Sequence, residues 1–204
     1  MEYYHDLVTQ QSWQELQKLQ HLIRFTLIGG WAVYLYTKAL KSKDIDIICQ
    51  FDQLPILKRH YELNKNDRLK KYEARKETVQ IDIYLPHYSN LGIPAEDLME
   101  HSQAWEGFNL LGPNFLAALK LNLLTQRGRT AKGRKDFLDF VTLFMTQKCN
   151  LKEIQRIIRQ YNLLPSLKVL KELLKEESRV DELNLTTHQF AKIKKEILAQ
   201  LTKD

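Results

Sequence analysis

A glycine pair between an apolar strand and a short helix is the feature that most constrains the fold of this chain. Segment 27–48 has the sequence LIGGWAVYLYTKALKSKDIDII, with Gly29 and Gly30 at the strand-to-helix junction. Fourteen residues after Gly30, Asp44 and Asp46 flank a single isoleucine. Side chains two positions apart on an extended strand share a face, with Cβ atoms about 6–7 Å apart. The two carboxylates are therefore predicted to share a divalent cation.

The composition is typical of a globular protein with no membrane partner. The 204 residues are 44% hydrophobic, which suits one large domain or a catalytic core with a helical extension. The N-terminus is acidic and polar where a signal peptide needs a basic start and an apolar run, and no spanning segment of about 18 apolar residues occurs. We therefore expect a cytoplasmic protein. Cys49 and Cys149 lack metal-ligand spacing and are predicted to be buried free thiols.

The positive charge indicates an anionic partner. The formal net charge is +6 and the sequence pI is about 9.2, and clustered Lys and Arg attract phosphate-bearing ligands. Solvated faces of lysine-rich helices would give the same totals. The tract 127–135, RGRTAKGRK, contains five Lys or Arg residues and two glycines and has no acid. It is predicted to be a mobile loop that faces phosphates; a solubilising turn is the alternative.

The hydrophobic pattern predicts a mixed α/β segment followed by helices. Strands are predicted over 25–28, 43–51, 69–75, 78–85 and 104–112. Helices are predicted over 7–20, 31–40, 53–61, 95–101, 113–126, 135–147, 151–160, 164–176 and 187–202. Pro113 suits the first turn of its helix, and Asn150 and Thr187 are predicted N-caps. The change in composition near residue 112 predicts two domains, 1–112 and 113–204.

Three more charged residues are candidates for a functional role. Asp82 occupies the polar face of the strand TVQIDIYL, whose other face is apolar. Lys120 follows a helical stripe that continues to Arg127, and Asp136 lies in the first turn of the next predicted helix. Each also has a purely structural interpretation. Asp82 would be an exposed strand aspartate, the stem of Lys120 would lie on apolar neighbours, and Asp136 would interact favourably with the helix dipole.

Taken together, the motifs resemble the minimal nucleotidyltransferase superfamily, the DNA polymerase beta-like enzymes. The resemblance is carried by GGWAVYLYTKALKSKDIDI, by Asp82, and by LGPNFLAALKLNLLTQRGRTAKGRKDFLDFVTLF, and it covers residues 25–145. Within the superfamily these motifs look most like the AbiEii/AbiGii and MenT toxin-like branch. The resemblance implies an α+β fold, in which a mixed sheet flanked by helices is followed by a C-terminal helical bundle.

The resemblance also implies a reaction and roles for individual residues. The enzymes move a nucleoside monophosphate from an NTP to an acceptor hydroxyl, release pyrophosphate and use Mg²⁺. Asp82 would complete a second metal site or accept the acceptor's proton. The helical domain would supply Lys120 to the cleft, with Asp136 orienting that lysine or contacting the base or ribose. The implied catalytic residues are Asp44, Asp46, Asp82, Lys120 and Asp136, and the implied metal ligands are Asp44, Asp46 and Asp82. The implied nucleotide-binding residues are Gly29, Gly30, Lys43, Lys120 and Arg127.

The sequence leaves several classes of acceptor open. The basic charge favours RNA, with the 3′ end of tRNA as the expected substrate. The toxin-like branch further implies a toxin of a toxin–antitoxin pair, with a cognate antitoxin protein as a partner. Alternatives are a protein side chain or a small molecule of the aminoglycoside or lincosamide type, because Gly-Gly-Trp-Ala resembles those transferases as well. A non-catalytic binding module is disfavoured, since Asp44 and Asp46 repel each other without a cation.

Overall fold

The computed structural model describes the backbone of residues 2–201 and the side chains of residues 7–201. The chain divides into two compact units, Met1–Gly112 and Pro113–Asp204. We call them the sheet unit and the helical unit. None of the helices within residues 2–201 is long and apolar enough to cross a membrane.

The sheet unit is a mixed seven-stranded sheet with helices packed against it, which confirms the predicted α+β fold. Its strands are β1 (Thr26–Ile28), β2 (Ile45–Ile48), β3 (Glu62–Asn66), β4 (Lys71–Lys76), β5 (Val79–Tyr84), β6 (Ser102–Trp105) and β7 (Phe108–Leu111). Its helices are α1 (Glu2–Leu22), α2 (Gly29–Thr37), α3 (Leu54–His60) and α4 (Ala95–Glu100), with a short 3₁₀ turn, Phe51–Gln53, before α3.

The strand order is β3-β4-β5-β2-β1-β7-β6. Strand β2 runs parallel to β5 and antiparallel to β1, while β4 and β5 form an antiparallel hairpin. The side chains of Leu27, Ile47 and Ile83 are fully buried and lie on the face opposite Asp46 and Asp82. Alternation along β2 and β5 therefore places the two aspartates together on the other face, as the period-2 pattern of β5 predicts.

Two predictions for the sheet unit are wrong in detail. Residues 104–112 form not one strand but the end of β6, a two-residue turn and β7, and in the turn Glu106 and Gly107 both have positive φ, 47° and 82°. Such a two-residue turn matches the twist of the flanking strands. The predicted strand over 43–51 is also shorter, since β2 spans only Ile45–Ile48.

Strand β3 was not predicted at all. Its sequence is ELNKN, and none of its five residues is buried. It is the outermost strand of the sheet, where polar and charged residues are tolerated because one edge faces solvent. No hydrophobic alternation marks such a strand in the sequence.

Over residues 113–201 the helical unit consists of five α-helices and a short 3₁₀ turn, Asp181–Leu183. The α-helices are α5 (Pro113–Arg127), α6 (Ala131–Met145), α7 (Leu151–Gln160), α8 (Pro165–Glu176) and α9 (Thr187–Leu201). Pro113 opens α5, and the Asn150 side chain caps α7 by accepting from the backbone N–H of Lys152 and Glu153, as predicted. The cap of α9 is Thr186 rather than Thr187, because the Thr186 hydroxyl accepts from the N–H of Gln189. Position 202, the predicted end of that helix, lies outside the described residues.

The basic tract 127–135 is not the mobile loop that its composition predicts. Arg127 ends α5, and α6 begins at Ala131 with Thr130 as its N-cap. A Cβ on Gly133 would overlap the carbonyl oxygen of Gly128, so glycine permits this close approach between the turn and α6. The tract therefore forms a tight connection between two packed helices.

The two cysteines are free thiols, as predicted. Cys49 is fully buried, whereas Cys149 is only partly buried. Burial raises the pKa of both thiols to about 12. Thiolate chemistry at neutral pH is therefore disfavoured at either position.

Candidate active site

The glycine turn packs directly on the carboxylate of Asp46. Gly29 has φ +70°, a conformation that L side chains rarely adopt, and a Cβ there would lie only 2.6 Å from Cγ of Asp46. Glycine is thus required at position 29 for two reasons, the positive φ and the close contact with Asp46. Helix α2 begins at Gly29, so the contact with Asp46 lies at the N-terminal end of this helix. The turn and Asp46 are therefore closely packed.

Three acids from adjacent strands form a row across the sheet. Asp46 of β2 pairs in register with Asp82 of β5, and Asp82 pairs with Glu73 of β4. Partners in register share a face, and neighbouring strands lie about 4.8 Å apart. All three side chains are half-buried. We call Asp46, Asp82 and Glu73 the carboxylate row.

Lys71 neutralises the outer part of this row. Its Nζ lies 2.6 Å from Oδ2 of Asp82 and 3.2 Å from Oε1 of Glu73, and its side chain is only 8% exposed. Burial by itself lowers the pKa of Lys71, but the hydrogen bond and charge of Asp82, and then those of Glu73, outweigh burial and raise it. Gln80 Nε2 donates to the other oxygen of Asp82 at 2.9 Å. Both oxygens of Asp82 therefore have protein partners.

The predicted ligands of a metal are only partly gathered. Among the residues that the structure describes, no three His, Cys, Asp or Glu side chains are grouped so that they could hold a metal ion. Asp44 is exposed immediately before β2, as is Lys43, and Asp82 is held by Lys71. Mg²⁺ is commonly bound by one or two carboxylates together with substrate phosphates and waters. Asp44 and Asp46 fit that donor set; a three-carboxylate cage is not formed.

In the helical unit, Lys120 lies between two acids. Its Nζ is 3.2 Å from Oδ1 of Asp136 and 2.7 Å from Oδ2 of Asp139. Arg127 Nη1 donates to the other oxygen of Asp136 at 2.7 Å. We call Lys120, Arg127, Asp136 and Asp139 the Lys120 cluster. Its acids are 2% and 0% exposed, and only Arg127, at 38%, extends towards solvent.

Asp139 is the most strongly perturbed acid of the Lys120 cluster. Burial raises its pKa, and the opposing charge of Lys120 does not fully compensate. Its Oδ1 accepts no hydrogen bond from the residues that the structure describes. A buried carboxylate with one unsatisfied oxygen costs free energy, and the ion pair with Lys120 favours its charged form.

The other two arginines of the tract are paired within the helical unit. Arg129 contacts Glu176 at 2.5 Å, and Arg134 contacts Glu177 at 2.7 Å and Glu182 at 2.9 Å. The pKa of Arg134 is raised by its hydrogen bond to Glu182. These arginines hold the α5–α6 connection to the region after α8, and their charge is offset by glutamates.

The sequence identified some of these residues and missed others. Gly29, Asp46 and Asp82 were predicted, and the structure brings them together. Lys71 and Glu73 were missed, although their positions two apart in the alternating run LKKYEAR place them on one face. The run alone does not show that Lys71 and Glu73 lie beside Asp82 of β5.

Likewise, Lys120 and Asp136 were predicted, and the structure places them in contact. Asp139 was not assigned a role from the sequence. Its position one helical turn after Asp136 was the available signal, because residues three apart on a helix are neighbours.

The fold is shared with solved structures of low sequence identity. JHP933 from Helicobacter pylori is 17% identical with a TM-score of 0.54, and the match covers 96% of this chain and 94% of that one. A candidate nucleotidyltransferase from H. pylori is 17% identical with a TM-score of 0.52, covering 95% and 97%. The Megavirus polyadenylate synthase is 14% identical with a TM-score of 0.48. That match covers 72% of this chain and only 32% of the synthase. No protein-family model matches the sequence, and no curated protein matches it.

Proposed function

We propose that this chain is a Mg²⁺-dependent nucleotidyltransferase that moves a nucleoside monophosphate from an NTP to an RNA hydroxyl, with the 3′ end of tRNA as the acceptor. One observation carries the proposal: the Asp46 carboxylate lies in contact with Gly29, whose conformation opens a helix directly beside it. A helix N-terminus that begins at glycine welcomes phosphate, and a carboxylate there suits the cation that accompanies a triphosphate.

The residues of the sheet unit have distinct tasks in this reaction. The backbone at Gly29 admits the β and γ phosphates closely, and Lys43, which is exposed, adds positive charge near them. Asp44 and Asp46 would hold Mg²⁺, which supplies charge neutralisation to the triphosphate and the leaving pyrophosphate. The acceptor oxygen bonds to the α-phosphorus, the bond from that phosphorus to the β-bridging oxygen breaks, and the hydroxyl proton is released.

Within the helical unit, the proposal keeps the predicted roles of Lys120 as a phosphate-binding residue and of Asp136 as the residue that orients it. Asp136 was expected to orient the lysine, and the 3.2 Å contact between the two side chains supports that role. Arg127, the exposed member of the Lys120 cluster, is proposed to contact nucleotide phosphates. Asp139 would hold the ammonium from the second side.

An anionic acceptor is supported by a basic edge of the sheet unit rather than by the tract 127–135. The segment from α3 to the β3–β4 turn exposes Lys58, Arg59, Lys65, Arg68 and Lys70. Fewer acids lie among them, and Asp67 is already paired with Lys65. Such a strip attracts a polyanion, because binding releases its counterions.

The test is a transfer assay with an acceptor pool. The protein is incubated with Mg²⁺, total tRNA and each of the four α-labelled NTPs, beside Asp46→Asn and the control Asp181→Asn, which alters an exposed aspartate of the helical unit. We expect label in RNA with the unmodified chain and the control, and a loss of about 100-fold or more with Asp46→Asn.

Other outcomes separate the alternatives. Label on the protein itself, or on an added aminoglycoside or lincosamide, would retain the chemistry and replace the acceptor. Absence of label under every condition would overturn the enzyme proposal. Growth arrest on expression of the unmodified chain, but not of Asp46→Asn, would support the toxin role and the search for an antitoxin partner.

A further inference from the structure

Lys71 is a buried cation that the transfer reaction above does not use, although it lies within the carboxylate row. Its ammonium contacts Asp82 at 2.6 Å and Glu73 at 3.2 Å. Asn66 also donates to Glu73 at 3.0 Å, Gln80 donates to Asp82, and Arg75 lies 3.9 Å from Glu73. The contacts of Lys71 fix its charge at one place rather than leaving it on a flexible surface side chain.

The row needs positive charge. Asp46, Asp82 and Glu73 come from three neighbouring strands in register, so the backbone of each lies about 5 Å from that of the next one along. Like charges at this spacing repel strongly when partly withdrawn from water. A cation between Asp82 and Glu73 reduces that repulsion, and Lys71 provides it from within the chain.

A lysine in this place changes what the row can bind. Both oxygens of Asp82 already accept hydrogen bonds, and the side chains of Lys71, Asp82 and Glu73 are only 8%, 15% and 19% exposed. A divalent cation at Asp82 would have to displace the ammonium or lie beside it. Both options are unfavourable, because a positive charge would be left unpaired in a half-buried site.

We propose that the Lys71 ammonium stands in the place of a second divalent cation, so that the carboxylate row accepts a single metal ion, at its Asp46 end. The inference rests on the proposed function, because it treats the row as part of a metal-dependent site. Lys71 is then a positioning residue: it holds Asp82 and Glu73 and limits the number of metal ions that the site takes.

Counting bound Mn²⁺ tests this inference without an assay of activity. Free Mn²⁺ is measured by electron paramagnetic resonance during titration of the unmodified chain, Lys71→Met and Lys71→Arg. We expect about one Mn²⁺ per chain for the unmodified protein and for Lys71→Arg, which retains the positive charge. Lys71→Met should bind about two, and adding Asp82→Asn to it should return the number to about one.

Two results would overturn the inference: two Mn²⁺ bound by the unmodified chain, or no gain in Lys71→Met. Two Mn²⁺ on the unmodified chain would overturn the inference even if Lys71→Met fails to fold, because that measurement requires no variant. Failure of the proposed function looks different. In that case Asp46→Asn leaves Mn²⁺ binding unchanged and no label is transferred, whereas the gain in Lys71→Met is still measured as a difference from the unmodified chain.

Discussion

Each unit of this protein holds one buried lysine between two carboxylates, and the two arrangements differ in their access to water. Lys71 lies between Asp82 and Glu73, which are 15% and 19% exposed. Lys120 lies between Asp136 and Asp139, which are 2% and 0% exposed. The first arrangement adjoins a glycine turn and can still meet a ligand. The second is shielded from water, with Arg127 as its exposed end.

The largest effect is expected when the buried arrangement around Lys120 is broken. Lys120→Met leaves Asp136 and Asp139 without the ammonium that neutralises them. Removing one partner of a buried ion pair costs about 3–5 kcal/mol. We expect a loss of this size in the free energy of unfolding, measured by urea denaturation followed by circular dichroism.

The matched change in the sheet unit should cost less. In Lys71→Met, the acids left behind retain contact with water and with Asn66 and Gln80, so we expect a loss of about 1–3 kcal/mol. Lys132→Met, at an exposed lysine in the first turn of α6, is the control. Equal losses for Lys71→Met and Lys120→Met would show that burial does not distinguish the two arrangements.

Two glycines separate backbone strain from the contact with Asp46. Gly29→Ala and Gly128→Ala both place a Cβ at positive φ, 70° and 56°, but only the first meets a side chain, since nothing lies within 4 Å of the second. Strain alone costs about 1–2 kcal/mol. We expect this loss in Gly128→Ala, and about 1–2 kcal/mol more in Gly29→Ala from the contact.

Binding distinguishes the two glycine variants further. Gly29→Ala should weaken Mn²⁺ binding about tenfold or more, because Asp46 is displaced, while Gly128→Ala leaves it unchanged. Titration of both variants by electron paramagnetic resonance checks this. Normal Mn²⁺ affinity in Gly29→Ala would contradict the packing of the turn on Asp46.

The smallest expected effect is a pair of opposite pH dependences. The pKa of Glu73 is lowered below its ordinary value of 4.5, first by the hydrogen bond from Asn66 and then by Lys71. Its contribution to stability is present above pH 4.5 and is lost as the pH falls through the lowered value. Burial raises the pKa of Asp139 above 3.8, so its contribution is present below pH 3.8 and is lost as the pH rises through the raised value.

The two substitutions should therefore respond to acid in opposite directions. Between about pH 7 and about pH 3, the cost of Glu73→Gln should shrink while the cost of Asp139→Asn grows, each by about 1.4 kcal/mol per unit of pKa shift. Urea denaturation across this range measures both. Parallel curves would mean that the two acids have similar environments in the folded chain.

Much of the fold was predictable because its signals are local. Alternation in TVQIDIYL predicted a half-buried strand with Asp82 on the polar face, and β5 has that pattern. The glycine pair and the aspartates at 44 and 46 predicted the turn and the strand that follows. Strand β3 was not predictable, because its stability comes from pairing with β4 at the edge of the sheet rather than from buried side chains.

The basic tract shows why local composition can mislead. Five Lys and Arg side chains within nine residues predicted a loop that faces phosphates. In the structure, Arg129 and Arg134 pair with glutamates more than 40 positions later in the chain. Composition reports the charge of a segment, but the partners of that charge are decided by packing.

The sequence by itself determined the glycine turn, the aspartates around Ile45 and the helical stripe that carries Lys120, because each depends on residues close together in the chain. Only the tertiary structure decided that Lys71 lies against Asp82 and that Asp139 shares Lys120 with Asp136. Those contacts follow from strand register and helix packing. Both are set by burial of the apolar faces, and the charged groups on the other faces are brought together as a consequence.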